Sequence, residues 1–582
     1  MTQIVLADDG EQQPATLRAR PSAVVMALIV VEVALIFAFY FFFAAVEPPN
    51  VNESHYLTKA KHYWNPEWCP NDLFLSSGDA HLVFYWTLGW LTQFWDLPTV
   101  AWIGRIAVWL LTAIAWQRLS SAVIPRPLIS VLSAGFALTL IEQFHMAGEW
   151  MIGGIEAKGL AFVFMLLGIS EIVRGRWRWT WVWFGIAAAF HVLIGGWSVI
   201  AAMIAWSFSG AGRATIVQQL PWLAGGFLIS LVGLIPVVVL NLGVDAETAA
   251  LANQIYTYGR LEHHLVFSAF ETRFVMRHLA LTSLWIVLSL LTLRRSHCNR
   301  LNAFVLGVVA IALAGIAIDQ IILMTLDNRP LAASLLRFYW FRLSDLMIPI
   351  GVTFSLLGLV MRNPGSRDSL QSTKEKMERY VPQRLSWKRM TVTGAVLLIF
   401  LSASAWQVTS KIRQRNFDPR PPADQKMREI SLITRDQDLR YEADWIEVCD
   451  WIRDNTAVDA LFLTPRDQQT FKWYAHRAEV VNGKDIPQDA ARIVTWQQRY
   501  QDVYPPFVKY NEYTFVDTRY FGLLAFNDQL LRERGQKYAA NYLLVERRFE
   551  LNRIQSGEPL RLTKVFPSAD TDCQFSVFRL DD

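Results

Sequence analysis

Acids, imidazoles and cations recur in four short polar stretches of this chain. The first reads Asn50-Val51-Asn52-Glu53-Ser54-His55 and leads on to Asp79 and His81. The second runs from Glu142 through Glu149 to Glu156 and Lys158. The third holds Arg260, His263 and His264, and the fourth holds Arg337, Arg342 and Asp345. A carboxylate within hydrogen-bond reach of a hydroxyl can take its proton. Arg suits phosphate because its planar fork binds two oxygens at once. Each group also has a plainer role. Asp79 can cap the short helix that follows it. Glu149 and Glu156 can cap a helix and pair with Lys158. His263 and His264 can be an ordinary interface pair. Arg337 and Arg342 can anchor lipid headgroups or pair with Asp345.

The elements that must position these residues follow from hydropathy. Of 582 residues, 53% are hydrophobic and 18% charged, and the net charge is +4. Charge concentrates beyond Lys411, where about 172 residues carry about half of all charged side chains. This pattern excludes a single soluble domain, a disordered chain and a nucleic-acid binder. A helix crossing a ~30 Å hydrocarbon core needs about 20 apolar residues. Apolar runs fall at 23–46, 99–119, 126–144, 158–173, 179–194, 196–209, 219–241, 275–293, 301–323, 338–361 and 390–410, which predicts 11 spans. The aromatic run from His81 to Trp95 is short and is expected to lie at the interface. The expected organisation is an amino-terminal cytoplasmic tail (1–22), a transmembrane domain (23–410) with a first outer loop at 47–98, and a soluble domain (411–582).

Lys and Arg set the orientation. With the amino terminus in the cytoplasm, Arg118, Arg126, Arg174, Arg176, Arg178, Arg213, Arg294, Arg295, Arg300 and the segment 362–389 with its Lys374–Arg379 cluster all fall inside. This satisfies the positive-inside rule. The four polar stretches and the soluble tail then share the outer face. In the tail, Trp445, Val448, Trp451 and Ile452 predict a helix over Tyr441–Asn455, and strands are expected at Ala460–Thr464 and Tyr542–Val545. The fold class is therefore an α-helical polytopic membrane protein carrying a small extracytoplasmic α/β domain. Glu32 and Asp319, inside apolar runs, are expected to be buried and paired. The cysteines, Cys69, Cys298, Cys449 and Cys573, lack metal-site spacing, and only Cys449 and Cys573 share a domain in which they could pair.

The first 120 residues resemble the membrane-embedded GT-C glycosyltransferases, among them oligosaccharyltransferases, protein O-mannosyltransferases and lipid A aminoarabinose transferases. Asn52-Glu53-Ser54-His55-Tyr56 with Thr58-Lys59-Ala60 is similar to that family's acidic-pair helix start. Leu82–Phe94 looks like its second juxtamembrane helix, and Glu149 or Glu156 falls where its second acid lies. In the tail, Trp451–Thr456 followed by Asp459–Thr464 is similar to the outer-domain opening of oligosaccharyltransferase-like members. Two departures stand out. Asn52 replaces the first acid of the pair, which weakens a metal site. Pro465-Arg466-Asp467 replaces the WWD pattern, which argues against glycosylation of Asn sequons.

The resemblance implies inverting transfer of a sugar from a polyprenyl-phosphate donor to an acceptor at the outer membrane face. It implies Glu53 as the base, Glu149 or Glu156 to orient the acceptor, and Arg337 and Arg342 on the lipid phosphate. Lys158 and Arg260 are further phosphate candidates, and His55 and His263 can bind sugar hydroxyls. Asn52 and Asp79 complete the expected substrate-binding set. No cofactor or metal residue is expected, and a divalent metal is left open. The expected partners are a polyprenyl-phosphate-linked sugar and membrane lipid, with no nucleic acid and an unspecified acceptor. The expected location is a bacterial inner membrane. A non-catalytic cell-envelope scaffold of the same fold and a transporter are the competing readings; a transporter calls for mid-span charges and inverted repeats.

Overall fold

The computed structural model describes residues 23–208, 215–293, 295–361, 387–427, 434–509, 515–517, 522–568 and 572–580. The expected cytoplasmic tail 1–22, Arg213, Arg294 and the 362–386 stretch with Lys374–Arg379 lie outside the described residues.

Each expected apolar run is helical: Ala23–Ala44, Leu97–Val123, Ile129–Phe144, Ala157–Val173, Trp177–Phe190, Val192–Ser207, Ile216–Val239, Thr272–Thr292, Ser296–Ala317, Arg342–Val360 and Trp387–Phe417. Among the described residues, seven helices are long and apolar enough to cross a membrane, fewer than the 11 spans expected. The others are short. At 1.5 Å per residue, the 16 residues of Ile129–Phe144 reach about 24 Å, less than the ~30 Å of a hydrocarbon core. The last membrane helix continues to Phe417, past the expected boundary at 410.

Helix ends follow local chemistry. Asp96 accepts the Thr99 amide at 2.9 Å and opens Leu97–Val123, and Thr215 with Gln218 forms a capping box that opens Ile216–Val239. Close helix contacts need small residues. A Cβ on Gly226 would lie 2.3 Å from the Trp181 carbonyl, so glycine alone lets Trp177–Phe190 and Ile216–Val239 touch there. The acids inside apolar runs are satisfied. Glu32 accepts from the Leu128 amide, Ser130 and Gln117 at 2.6, 2.8 and 3.1 Å. Asp319 accepts from the Ser268 amide and hydroxyl, each at 3.1 Å.

The run expected at the interface forms a short helix, Leu82–Trp86, and a 3-10 turn, Gly89–Gln93. The tail is an α/β domain. Its five-stranded sheet comprises β1 (Leu461–Leu463), β2 (Ala478–Glu479), β5 (Tyr542–Glu546), β6 (Lys564–Phe566) and β7 (Phe575–Arg579), in the order β2-β1-β5-β7-β6. β3 (Phe507–Lys509) and β4 (Phe515–Asp517) form a separate antiparallel pair. β2, β1 and β5 run parallel, and β7 is antiparallel to β5 and β6. Helix Arg435–Asn455 buries Trp445, Val448 and Ile452 on one face of the sheet. Ile493 and Trp496 of helix Ala490–Val503 cover the other. Phe74 and Leu75 of the 47–98 loop enter that second core, so burial of apolar surface seats the tail on the loop. All four cysteines are buried and free, Cys449 and Cys573 included.

Candidate active site

Four segments meet over one cavity of about 1690 Å³. They are the 47–98 loop, the loop before helix Ala157–Val173, the stretch around Arg260–His264, and Arg337–Arg342. A fifth is the tail segment Lys484–Gln488. Val192, Leu193, Leu234, Val237 and Val238 give the wall an apolar side between two membrane helices. Nine Lys and Arg side chains line the cavity against five Asp and Glu, so it favours an anion.

The wall is built from loops held by fixed charges. Asp345 accepts the backbone amides of Met146, Ala147 and Glu149 at 2.8, 2.9 and 3.2 Å, which ties down the 146–149 loop. Gly148 in that loop has φ +75, and a Cβ there would press on the His264 ring at 3.1 Å. Glu149 then receives two cations: Lys158 Nζ and Arg342 Nε, each at 2.5 Å. Burial pushes the Glu149 carboxyl up, but Lys158 and Arg342 outweigh it and hold Glu149 below its ordinary value. Glu156 is held more loosely. Its Oε1 accepts from Asn52 Nδ2 at 3.2 Å and lies 3.6 Å from Lys158 Nζ. Burial dominates here and raises the Glu156 carboxyl. Lys484 Nζ donates to Asn52 Oδ1 at 2.6 Å and closes the chain from the tail side.

Arg342 also reaches His191 Nε2 at 3.1 Å and lies over the Tyr339 ring at 3.9 Å. Arg337 hydrogen-bonds the Asn253 side chain. His55 meets Asp485 at 2.9 Å. His263 packs against His264 with ring centroids 4.1 Å apart and planes tilted by 43°.

Of the residues expected from sequence, Asn52, His55, Glu149, Glu156, Lys158, Arg260, His263, Arg337 and Arg342 line this cavity. Two do not. Glu53 is fully buried, and its oxygens accept from Arg105 Nε at 2.6 Å and Nη2 at 2.5 Å. The amides of Ile155 and Asn50 add bonds of 2.7 Å each. A carboxylate so committed has no lone pair facing an acceptor, so the expectation of Glu53 as the base is corrected. Asp79 lies 3.4 Å from Lys59 Nζ, outside the cavity wall. Its expected capping bond to the next helix is also absent: His81 precedes that helix, with no side-chain cap.

Sequence reasoning missed Arg105, His191, Lys484 and Asp485. Arg105 carried a readable signal, because a lone cation inside an apolar helix demands an acid partner. Lys484 and Asp485 carried none in their local pattern.

The natural oxygen ligands for a divalent cation would be Glu156 and Asn52. Both are engaged: Asn52 turns its Nδ2 toward Glu156 and gives its oxygen to Lys484. Two ammonium groups surround the pair, and a hard cation seeks anionic oxygen in their place. This donor set does not fit a divalent metal. Elsewhere among the described residues, Asp444, Glu447 and Cys573 approach one another in the tail, and none of the three lines the cavity. Asp444 already accepts the Gln574 amide at 3.0 Å.

A family model described as a domain of unknown function, DUF6798, matches residues 443–503. No curated protein matches the chain. Among solved structures, the chain is similar to the Archaeoglobus fulgidus oligosaccharyltransferase in its apo form, at 11% identity and a TM-score of 0.43, over 91% of this chain and 70% of that one. The archaeal oligosaccharyltransferase AglB from the same organism, in complex with an inhibitory peptide and a dolichol-phosphate, matches at 12% identity with the same coverage and TM-score. A complex of the A. fulgidus enzyme with Zn and sulfate matches at 10% identity and a TM-score of 0.37, over 91% and 69% of the two chains.

Proposed function

We propose that this protein transfers a sugar from a polyprenyl-phosphate donor to an acceptor hydroxyl at the outer face of a bacterial inner membrane. The observation that carries the reading is the cavity itself, which is cation-rich, apolar on one side and supplied with a carboxylate that is not saturated by cations. A prenyl chain fits the side lined by Leu234, Val237 and Val238. In this reading the amino terminus is cytoplasmic and the tail domain is extracytoplasmic.

Glu156 is the base. Its carboxylate takes the acceptor's hydroxyl proton, and the freed oxygen lone pair attacks the anomeric carbon. The bond from that carbon to the phosphate oxygen breaks, and its electron pair leaves on the phosphate. Attack opposite the leaving group inverts the anomeric centre. Negative charge grows on the phosphate, and cations fixed beforehand stabilise it without reorganising. Arg342, Arg337 and Lys158 fill this role. Glu149 holds Arg342 and Lys158 in place and stays ionised between them. Amines and guanidinium groups supply the positive charge, and no step runs through a metal.

An open cavity supports this reading over a scaffold, whose corresponding space would be filled by side chains. The test is transfer of labelled sugar from a polyprenyl-phosphate donor. Glu156→Gln is expected to lower turnover by about 10²- to 10⁴-fold, the usual span for removing a general base, with the fold intact. Turnover within about threefold of the unaltered protein would reject Glu156 as the base.

A further inference from the structure

Four of the nine cations on the cavity wall meet a carboxylate. Arg342 and Lys158 share Glu149, Lys411 meets Glu142 at 2.8 Å, and Arg420 meets Asp418 at 2.7 Å. Of the other five, Arg337 and Arg415 hydrogen-bond neutral groups, whereas Lys484 and Arg260 lie next to each other. Among the described residues, neither Lys484 nor Arg260 has a carboxylate within ion-pairing distance. Lys484 spends one of its three N–H donors on the neutral Asn52 oxygen. The buried Arg260 Nε has no hydrogen-bond partner among the described residues. The two residues are neighbours, because Arg260 Nη2 donates to the Lys484 backbone carbonyl at 3.5 Å. Donors left unused in a partly buried wall are costly, and two neighbouring cations facing one cavity without a carboxylate are matched by an anion.

The tail holds Lys484 firmly. Asn482 Oδ1 accepts the backbone amides of Lys484 and Asp485 at 2.8 and 2.7 Å, and Trp496 Nε1 donates to the Asn482 carbonyl at 3.0 Å. Asp485 is pinned by Lys472 at 2.7 Å and by His55 of the outer loop at 2.9 Å. The ammonium therefore projects from a turn fixed on both sides.

We propose that Lys484 and Arg260 together seat the phosphate of the lipid donor, so that the tail domain completes the catalytic chamber of the membrane domain. This rests on the glycosyl-transfer reading and assigns its phosphate seat. Lys484 Nζ and the Arg260 guanidinium donate hydrogen bonds to the non-bridging phosphate oxygens. The Arg342–Glu149–Lys158 group lies on the side of the departing oxygen.

The test is binding of a fluorescent polyprenyl monophosphate to the full chain in lipid nanodiscs, with the corresponding polyprenyl alcohol as control. Lys484→Met is expected to weaken phosphate-lipid binding about 10-fold, and Lys484→Arg to restore most of it. Alcohol binding should not change. Equal affinity of Lys484→Met and the unaltered protein would overturn this assignment and leave the transfer reading standing. No preference of the unaltered protein for phosphate over alcohol would overturn both. A measurement without substitutions guards against misfolding. A polyprenyl acyl phosphate gives its acyl group to an amine touching the phosphate, forming an amide and releasing polyprenyl phosphate. Mass mapping should find the label on Lys484. Label on Lys158 alone would overturn the assignment.

Discussion

Glu53 and Arg105 form a two-pronged ion pair, 2.6 and 2.5 Å long, in which both side chains are fully buried. It joins the start of helix Glu53–Trp64 to helix Leu97–Val123. Arg105 also donates to the Val46 carbonyl and packs under Trp102 at 4.9 Å. The pair fixes the floor on which Asn52 and His55 stand.

Breaking this pair is predicted to cost stability more than chemistry. Glu53→Gln leaves Arg105 buried among neutral partners alone, a change that costs about 3–5 kcal/mol. The expected outcome is a fall in thermal midpoint in detergent, with the remaining folded protein turning over at a near-normal rate. Loss of turnover in a fully folded Glu53→Gln protein would return Glu53 to the chemistry.

The pH profile of transfer should have two limbs. Glu156 must be deprotonated, and burial raises its carboxyl, so activity falls on acidification at a pH above the ordinary glutamate range. Lys484 must be protonated. Burial and then Arg260 lower it to about 8, against the pull of Asp485 and Glu156 and with the further push of Lys158, so activity falls as pH rises through that value. Lys484→Arg keeps its charge and should move the alkaline limb upward, as initial rates across pH would show. An unmoved limb would separate Lys484 from it.

Lys472 sits among three carboxylates: Glu479 at 2.5 Å, Asp485 at 2.7 Å and Asp72 at 3.4 Å. Burial disfavours its charge, but Asp485, Asp72 and Glu479 prevail and hold it well above its ordinary value. Lys472→Met strands these acids and should destabilise the tail and its seat on the outer loop by about 3–5 kcal/mol. Limited proteolysis between the domains is the check. An unchanged cleavage rate would show that the cluster does not hold them.

Asp424 gives a signed pH effect on stability. Burial raises its carboxyl to about 6, although Thr470 and Tyr474 donate to it at 2.6 and 2.7 Å. The folded protein then holds this proton more tightly than the unfolded chain, whose aspartate lies near 3.8. Stability from this group is complete below the unfolded value and is lost as pH rises through about 6. Asp424→Asn removes that loss. The difference in thermal midpoint, variant minus unaltered protein, should grow between pH 4 and pH 7, and a flat difference would contradict it.

Chelation tests the donor set around Asn52. With its oxygen given to Lys484 and its amide to Glu156, transfer should persist within about twofold in excess EDTA. Loss of activity restored by Mg²⁺ or Mn²⁺ would show that a metal displaces Lys484.

Much of this arrangement was legible in the chain. Apolar length marked the helical segments, and the clustering of Glu149, Glu156, Lys158, Arg260, Arg337 and Arg342 at one end of them marked the cavity. Three things were not legible. Helix ends depend on caps and turns that hydropathy does not record, so the apolar run 126–144 yields a helix of only 16 residues, Ile129–Phe144. Glu53 and Glu156 are alike as residues, and only the position of Arg105, 52 residues from Glu53, separates a buried tie from a carboxylate on the cavity wall. Lys484 reaches Asn52 across 432 residues, through docking of the tail on Phe74 and Leu75, which no local periodicity encodes.

A structure of the full chain with polyprenyl phosphate bound tests the central claim most directly. The account predicts the prenyl chain against Leu234, Val237 and Val238, and the phosphate within hydrogen-bond distance of Arg260 and Lys484, on the same side of the cavity as Glu156. A phosphate bound outside this cavity, or a cavity that stays empty while the lipid binds elsewhere, would contradict it.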